Sequence, residues 1–358
     1  MLPFQAKTAK LDFVGFPDKI YPEALAEGSR QADLSYFKDE ILRPTGSGLS
    51  LGISRQRQVS VNMECIVIGG AGFIGSHLVD LLLTEGHAVR ILDNFSTGRW
   101  ENINPKSTLL EGDVRDISLL KDKILPGDTL FHLAALPRIQ PSFEDPVLHE
   151  EVNVGGVLNL FQAAKEANAR KIIFSSSAAV YGDTSLFPTP ESAPIDCLSP
   201  YALQKYAAER YLLMLGARYS ISVICLRYFN VYGPRSYNPQ DKFNAYSPVI
   251  GIFKEQVDAG LPITITGSGK QSRDFIHVYD VAWANLCAAL SECSGEVFNV
   301  GSGQSYSIQH IASLMGKEIR YIDERLGEIQ FSQANIDKIK SLLQWQPQLS
   351  LEEGLMLL

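Results

Sequence analysis

A tyrosine and a lysine four positions apart, Tyr201 and Lys205, follow a run of serines that ends at Ser177. Residues four apart lie on one face of a helix. A free tyrosine has a pKa of about 10 and is a poor base at neutral pH, but a neighbouring ammonium group favours its phenolate. Tyr201 could then accept a proton from a substrate hydroxyl while Ser177 hydrogen-bonds the reacting oxygen. The same spacing is also common on helices where the tyrosine is packed and the lysine is solvated.

A glycine-rich turn forms a second constellation. Residues 65–68 predict a strand, residues 69–75 a turn and residues 76–85 a helix, and the turn satisfies both G-x-x-G-x-x-G and G-x-G-x-x-G. The first glycine permits a tight turn, the second removes a Cβ that would collide with a pyrophosphate, and the third lets the helix lie close to the sheet. The helix N-terminus offers free N–H groups and a partial positive charge to phosphates.

Asp93 ends the next predicted strand, 88–92, near the ~20-residue offset at which a carboxylate receives an adenosine ribose hydroxyl. It favours NAD over NADP, because a carboxylate repels a 2′-phosphate, although the nearby Arg99 leaves NADP open. Strand, turn, helix and acid in this register predict dinucleotide binding rather than a chance glycine-rich turn. With NAD bound, Tyr201 could take a proton while hydride leaves the same carbon, and Lys205 could hold the nicotinamide ribose.

The chain continues as alternating strands and helices, with strands predicted at 108–111, 129–133, 171–175 and 222–227 and helices at 152–167 and 200–219. This alternation predicts an α/β fold, a Rossmann-type doubly wound parallel sheet with a smaller C-terminal α+β substrate-binding region. We expect residues 63–233 to be mainly the NAD-binding domain and residues 234–358 mainly the substrate-binding region, interleaved with it. Residues 1–62 are an extension, either a dimer-bracing or partner-docking arm or an inert appendage.

The charge, the cysteines and the apolar runs of the sequence argue against several classes of protein. A formal net charge of -8 and a sequence pI of about 5.4 argue against nucleic acid or an anionic membrane as a partner. The five cysteines are scattered and odd in number, which predicts reduced core residues and no metal site. No apolar run approaches the ~18 residues of a membrane span and no signal pattern opens the chain, so the sequence predicts a cytoplasmic protein.

Further motifs lie after predicted strands: Asp93–Asn94, His132–Ala135, Ser175–Ser177 with Val180–Gly182, and Arg227–Pro234. With the glycine turn and the Tyr201/Lys205 pair, they resemble the extended short-chain dehydrogenase/reductases that act on nucleotide sugars. Within that family the chain is most similar to the UDP-hexose and UDP-N-acetylhexosamine 4-epimerases, from residue 63 to the end of the sequence. The resemblance implies a UDP-sugar substrate, NAD that stays bound through the cycle, and a homodimer.

The resemblance also implies which residues contact the cofactor. Those on the pyrophosphate would be Gly69, Gly72, Phe73, Ile74 and Gly75. Those on the adenosine would be Asp93 and Asn94 at the ribose and Asp113 and Val114 at the adenine. Those on the nicotinamide half would be Leu133, Ala134 and Asn153. Tyr201, Lys205 and Phe229 would also contact the cofactor.

For the substrate, the resemblance implies Asn230 at the sugar diphosphate and the guanidinium groups of Arg273 and Arg325 on its two phosphates. Ser177 would contact the substrate at the reacting oxygen. Glu328 resembles the acid that holds the nucleotide ribose, which is more usually an Asp. Thr266 stands where some relatives have an aromatic side chain against the uracil, so the sequence does not determine which nucleotide base is bound. Ser332, seven residues after Arg325, stands where some relatives have a Tyr against the C2 substituent, so both N-acetylated and plain hexoses would fit.

Ala178 and Ala179 occupy the positions after Ser177 where dehydratases and decarboxylases of this family carry a carboxylate. Without that acid we expect oxidation at C4, rotation of the 4-keto sugar and return of the hydride to its other face, which is epimerisation without net use of NAD. A nucleotide-sugar 4-ketoreductase or dehydrogenase uses the same triad and remains an alternative. A catalytically silent NAD-sensing protein is a further one, against which the intact Ser177, Tyr201 and Lys205 argue.

Overall fold

The structure is a computed structural model that describes residues 62–238, 248–316, 318–323 and 329–358. Arg325, Glu328 and all of the predicted extension except Asn62 lie outside these ranges. In the described part of the chain, the five cysteines are free, and no helix is both long and apolar enough to cross a membrane.

A parallel sheet of seven strands forms the centre of the described structure. Its strands are β1 (Glu64–Ile68), β2 (Ala88–Asp93), β3 (Thr108–Glu111), β4 (Thr129–His132), β5 (Lys171–Ser177), β6 (Ser222–Tyr228) and β11 (Glu296–Val300). Their order is β11-β6-β5-β4-β1-β2-β3, and every neighbouring pair is parallel. The order reverses between β1 and β4, and ligands of such sheets bind at the carboxyl ends of the strands beside this switch point.

Helices cover both faces of the sheet, as the sequence of β1 requires. Cys65 and Val67 belong to one buried hydrophobic cluster, while Ile66 and Ile68 belong to another on the opposite face. The helices within the described ranges are α1 (Phe73–Thr84), α2 (Ile117–Lys123), α3 (Ile139–Glu144), α4 (Pro146–Glu150), α5 (Gly156–Ala167), α6 (Pro200–Tyr219), α7 (Val249–Asp258), α8 (Val278–Leu290), α9 (Ile308–Met315), α10 (Asp337–Leu343) and α11 (Leu351–Met356). The predicted doubly wound Rossmann-type fold is confirmed.

Short strand pairs lie outside the main sheet. They are β7 (Asn230–Tyr232) with β10 (Phe275–His277), β8 (Ile263–Thr266) with β13 (Ile319–Ile322), and β9 (Ser272–Arg273) with β12 (Tyr306–Ser307). A third buried cluster, which includes Phe253, Ile265 and Ile311, packs this region. These pairs carry Asn230 and Arg273, two of the residues predicted to meet the substrate.

The observed elements differ from the predicted ones at three points that affect the site. Helix α1 begins at Phe73 rather than Ser76, because Gly72 is its extended N-cap. Strand β5 continues to Ser177, two residues beyond the predicted strand, so that Ser177 ends it. The predicted helix 152–167 starts as a π-helical turn, Glu151–Gly155, before α5.

Candidate active site

The glycine turn between β1 and α1 has two glycines that the protein's own packing requires. Gly69 has a φ of +86°, and a Cβ there would lie 2.6 Å from the nitrogen of Ala134. A Cβ at Gly75 would lie 2.1 Å from the carbonyl oxygen of Gly69. A Cβ at Gly72 would meet only one described heavy atom within 4 Å, at 3.3 Å, so the chain itself does not demand a glycine there.

The space in front of Gly72 therefore fits a group from outside the chain. Gly72 has no side chain to cap the helix, which leaves the N–H groups of the first turn, Phe73 and Ile74 among them, available to an acceptor. A helix N-terminus that offers such N–H groups suits a phosphate. The turn thus fits the pyrophosphate of a dinucleotide.

Asp93 at the end of β2 has a role inside the protein as well. Its carboxylate accepts hydrogen bonds from the backbone N–H of Ala71 and of Phe95, both at 2.9 Å, and burial raises its pKa. Asp93 thereby ties the glycine turn to the carboxyl end of β2. Its side chain lies at the sheet edge where the ribose hydroxyls of a dinucleotide are bound in such folds.

The residues predicted at the adenosine come together beside Asp93. Asn94 donates to the Asp113 carboxylate at 2.8 Å. The side-chain hydrogen bond from Arg115 is the main cause that holds the pKa of Asp113 well below its usual range. Val114 is buried, and a Cβ at Gly156 would lie 2.6 Å from its side chain.

The other residues predicted to contact the cofactor follow strands β4 and β6 or lie on the π-helical turn. The backbone N–H groups of Leu133 and Ala134 both donate to the carbonyl of Ile68 at 2.8 Å. The buried Asn153 donates to the Gln204 side chain at 3.1 Å, which links the π-helical turn to α6 next to Lys205. Phe229 is buried beyond the end of β6, and its N–H donates to Val300 at 3.0 Å.

The side chains of Ser177 and Tyr201 lie next to each other in the structure. The Ser177 oxygen accepts the N–H of Ala179 at 3.2 Å, and the Ser177 side chain acts on the Tyr201 phenol. The N–H of Tyr201 donates to the Ser142 hydroxyl at 3.1 Å, which holds the first turn of α6 against α3. Burial raises the pKa of Tyr201, and the Ser177 side chain and the charge of Arg138 offset part of that rise.

Lys205 is buried one turn further along α6. Its Nζ donates to the carbonyl of Ser175 at 2.8 Å and lies 4.9 Å from the centre of the Phe174 ring. Burial lowers the pKa of Lys205 to about 7. Contrary to the sequence analysis, the described groups that lower the pKa of Tyr201 are Ser177 and Arg138 rather than Lys205.

The residues predicted to meet the substrate lie in the region of short strand pairs. Asn230 donates to the carbonyl of Asp274 at 3.1 Å, next to Arg273 on β9. Both Asn230 and Arg273 are half-buried. Ser332 is also half-buried and follows Phe331, whose ring packs edge-on against Phe187 at 4.4 Å between centroids.

Comparison with known proteins agrees with this geometry. The model of the NAD dependent epimerase/dehydratase family matches residues 65–301, which include the glycine turn, Asp93, Ser177, Tyr201 and Lys205. The chain belongs to this family. Membership confirms the resemblance found in the sequence, the expectation that the protein is an enzyme of this class, and the prediction of NAD as its cofactor.

Three relatives illustrate the range of the family around this chain. A putative UDP-glucose 4-epimerase of Methanocaldococcus jannaschii is 38% identical over 298 residues, 81% of this chain and 95% of the relative. A solved UDP-glucose 4-epimerase of Thermotoga maritima with UDP-glucose is 35% identical, with a TM-score of 0.77 over 82% of this chain and 97% of that chain. A solved UDP-N-acetylglucosamine 4-epimerase of Methanobrevibacter ruminantium, in complex with UDP-N-acetylmuramic acid, is 36% identical, with the same TM-score and coverage.

The sequence analysis assigned no role to two residues, Arg138 and Asp274, that the structure places near the site. Arg138 precedes α3, and its charge acts on Tyr201 although the two are far apart in the sequence. Asp274 is fully buried, and its carboxylate accepts hydrogen bonds from Ser302, Gly303 and the N–H of Ala334 at 2.6–3.0 Å. Burial raises the pKa of Asp274 to about 6. The available signal for Asp274 was an acid directly after Arg273 and before the apolar residues Phe275 and Ile276.

Proposed function

We propose that this protein catalyses the NAD-dependent C4 epimerisation of a UDP-sugar. The observation that carries the proposal is the placement of the Ser177 and Tyr201 side chains next to each other, with the buried Lys205 one turn further along α6 and Ala178 and Ala179 directly after Ser177. These two alanines begin the 3-10 turn Ala178–Tyr181 after Ser177 and carry no carboxylate. No acid is therefore available in that turn to eliminate water or to steer the loss of carbon dioxide.

The proposed roles follow from the chemistry of the side chains. NAD, held by the residues named above, would supply the acceptor and donor for the C4 hydride of the sugar. Ser177 hydrogen-bonds the C4 oxygen, and Tyr201 removes its proton during oxidation and gives it back during reduction. Lys205 binds the nicotinamide ribose, and its bond to Ser175 holds the helix that carries Tyr201 against the strand that ends in Ser177. The burial of Tyr201 and Lys205 excludes water from the reacting atoms.

The proposed contacts outside the triad divide between cofactor and substrate. The glycine turn with Phe73 and Ile74 would hold the pyrophosphate of NAD, and the cluster around Asp93 its adenosine. Leu133, Ala134, Asn153 and Phe229 would hold its nicotinamide half. On the substrate side, Asn230 and Arg273 would bind the diphosphate. Arg325 and Glu328, outside the described residues, remain proposed contacts from the sequence.

UDP-GlcNAc and UDP-GalNAc are the proposed substrates, with UDP-Glc and UDP-Gal as further ones. The choice of N-acetylated substrates rests on Ser332, because its small side chain would leave room for an N-acetyl group that must turn with the sugar ring. The names of the two solved relatives, a UDP-glucose and a UDP-N-acetylglucosamine 4-epimerase, are in keeping with either sugar.

The test is to incubate the purified protein with UDP-GlcNAc, and separately with UDP-Glc, without added NAD, and to separate the products. The proposal expects the C4 epimer of at least UDP-GlcNAc and no change in total NADH. Loss of water or carbon dioxide would identify a dehydratase or a decarboxylase. Stoichiometric use or release of NADH would identify a ketoreductase or a dehydrogenase. Bound NAD without any turnover would favour an NAD-sensing protein.

We also propose that two copies of the chain pair through the outer face of α4 and α6. On this face Val147 and Leu203 are 67% and 58% exposed, and both line a groove together with the apolar Val154 and Leu158. Met214, further along α6, is 54% exposed. A contiguous exposed apolar patch of this kind is typical of an interface. The variant Leu203→Arg should therefore be monomeric by light scattering, and a variant with the mass of a wild-type dimer would contradict the pairing.

A further inference from the structure

A buried array of polar side chains lies behind the proposed catalytic residues. Its first members are Glu209 on α6 and Arg227 on β6, whose side chains are 1% and 5% exposed. Arg227 donates to the Glu209 carboxylate twice, from Nε at 3.0 Å and from a terminal nitrogen at 2.6 Å. The Ser176 hydroxyl donates to the same carboxylate at 2.8 Å. The ion pair is thus fixed to the strand residue next to Ser177.

The array continues across the sheet through Tyr181 and Asn299. Arg227 donates to the Tyr181 hydroxyl at 2.9 Å, and that hydroxyl donates to the Asn299 side-chain oxygen at 2.6 Å. Tyr181 ends the short turn that follows Ser177, and Asn299 lies on β11. Four residues from four different elements therefore form one hydrogen-bonded chain.

The far end of the array holds a clasp between two loops. Asn299 donates from its side chain to the carbonyls of Thr189 and Asn335, at 2.9 Å and 3.2 Å, and from its backbone to the Glu191 carboxylate at 2.8 Å. The two loops also bond directly. Thr189 donates to Gln333 at 2.8 Å, and Asn335 donates to Thr189 at 2.9 Å. This clasp, Thr189 with residues 333–335, begins one residue after Ser332.

Stability alone is a weak explanation for such an array. The desolvation of a buried ion pair offsets much of its attraction, and well-packed apolar residues often serve a fold as well. Each end of the array instead lies close in the sequence to residues of the proposed site. Glu209 lies on the same face of α6 as Tyr201 and Lys205, at successive spacings of four residues. The clasp at the other end adjoins Ser332.

We propose that Tyr181, Asn299 and Glu191 are positioning residues that hold the Ser332 loop at a fixed distance from Ser177, Tyr201 and Lys205. The inference rests on the proposed function. An epimerase must let the 4-keto sugar turn while its acid–base group and the wall of the sugar pocket stay in register. The spacing of those two parts governs turnover, whereas the affinity for the nucleotide depends on contacts elsewhere, such as Arg273.

The test compares Tyr181→Phe and Glu191→Ala with two controls. Tyr181→Phe keeps the ring and removes the hydroxyl that joins Arg227 to Asn299. Glu191→Ala removes the acceptor of the Asn299 N–H, while Glu191→Gln keeps an oxygen there. Tyr232→Phe also removes a buried hydroxyl, but that hydroxyl bonds only weakly to Ser350 and Leu351, at 3.5 Å and 3.3 Å.

We expect Tyr181→Phe and Glu191→Ala to lower kcat about tenfold or more, because small misplacements of reacting groups have large effects on rate. KM for the UDP-sugar should stay within about twofold, and Glu191→Gln and Tyr232→Phe should retain wild-type kcat. Wild-type kcat in Tyr181→Phe, or an equal loss in Glu191→Gln and Glu191→Ala, would overturn the inference.

A second measurement separates this inference from the proposed function. Amide hydrogen exchange of residues 186–191 and 333–335 should be faster in Tyr181→Phe than in Tyr232→Phe or in the wild type. Equal exchange in these segments would overturn the inference even if the enzyme is an epimerase. A wild-type protein that forms no C4 epimer would refute the proposed function, while faster exchange in Tyr181→Phe would still establish that the array holds the clasp.

Discussion

The Nζ of Lys205 on α6 donates to the carbonyl oxygen of Ser175 on β5 at 2.8 Å. Together with the bond from Ser176 to Glu209, this bond joins the helix that carries Tyr201 to the strand that ends in Ser177. Both partners are buried, so the bond has no competition from water. The position of the proposed base relative to the proposed oxygen ligand therefore depends on Lys205, in addition to the contact that Lys205 would make with the cofactor.

Lys205→Met should lower turnover about a hundredfold or more and reduce the NAD content of the purified protein. Methionine keeps the apolar stem but donates to neither Ser175 nor a ribose. Lys171→Met is the matched control, because Lys171 is also buried on β5 but donates to Ala288 and Ser291 at the end of α8. The control should lose stability and retain its NAD. Equal loss of NAD in both variants would mean that Lys205 acts on the fold alone.

Tyr201→Phe should lower kcat about a hundredfold or more and leave the affinity for the UDP-sugar nearly unchanged. The substitution removes the proton acceptor but preserves the packing of the ring. Tyr219→Phe, at the exposed end of the same helix, serves as the control and should have wild-type activity. Near-normal turnover in Tyr201→Phe would show that another group is the base.

Much of the fold and of the site could be predicted because the signals are local. The glycine turn, Asp93 and the Tyr201/Lys205 pair each lie within one strand–turn–helix segment or on one helix face, where spacing determines geometry. The hydrophobic periodicity and the composition of a sequence do not reveal contacts between segments that are far apart in the chain. Strand β11 was missed because it returns to the sheet after the region of short pairs, and its pairing partner β6 lies far earlier in the chain.

Burial limits prediction in the same way. Lys205 was expected to lower the pKa of Tyr201, but its own pKa falls to about 7 because it is fully enclosed. Arg138 contributes instead, and only the packing of α3 against α6 brings the two regions together. The bond between Tyr181 and Asn299, which are 118 residues apart, likewise exists only in the folded chain.

Ser332→Tyr should abolish turnover of UDP-GlcNAc and UDP-GalNAc and spare any activity on UDP-Glc. A tyrosine would fill the space that the N-acetyl group needs when the sugar turns. Ser341→Tyr adds the same side chain at an exposed position on α10 and should change neither activity. If both classes of substrate respond equally to Ser332→Tyr, then Ser332 does not select the sugar.

Asp274 predicts a pH dependence of stability. Its pKa is raised by burial from an ordinary 3.8 to about 6, so the folded protein holds this proton more tightly than the unfolded chain. The resulting stabilisation is fully present below about pH 4 and is lost as the pH rises through about 6, by about 3 kcal/mol in all. Asp274→Asn does not titrate and serves as the reference.

The measurement is the difference in the free energy of unfolding between wild type and Asp274→Asn at several pH values. We also expect a pH-independent difference in the free energy of unfolding between the two proteins, because the amide nitrogen of Asn would face N–H donors. The wild type should lose stability relative to the variant between pH 4 and pH 7, on the order of the shift above. A difference that does not change with pH would show that Asp274 stays charged throughout.

The most direct test of the proposed reaction follows one hydrogen atom. UDP-GlcNAc that carries deuterium at C4 is incubated with the purified protein without added cofactor, and the position of the label in the product is determined by mass spectrometry and NMR. Transfer to and from an enclosed NAD predicts UDP-GalNAc with the deuterium still at C4 and no label in the solvent. Label lost to the solvent, or a product that has lost water, would contradict oxidation and reduction at C4 by this site.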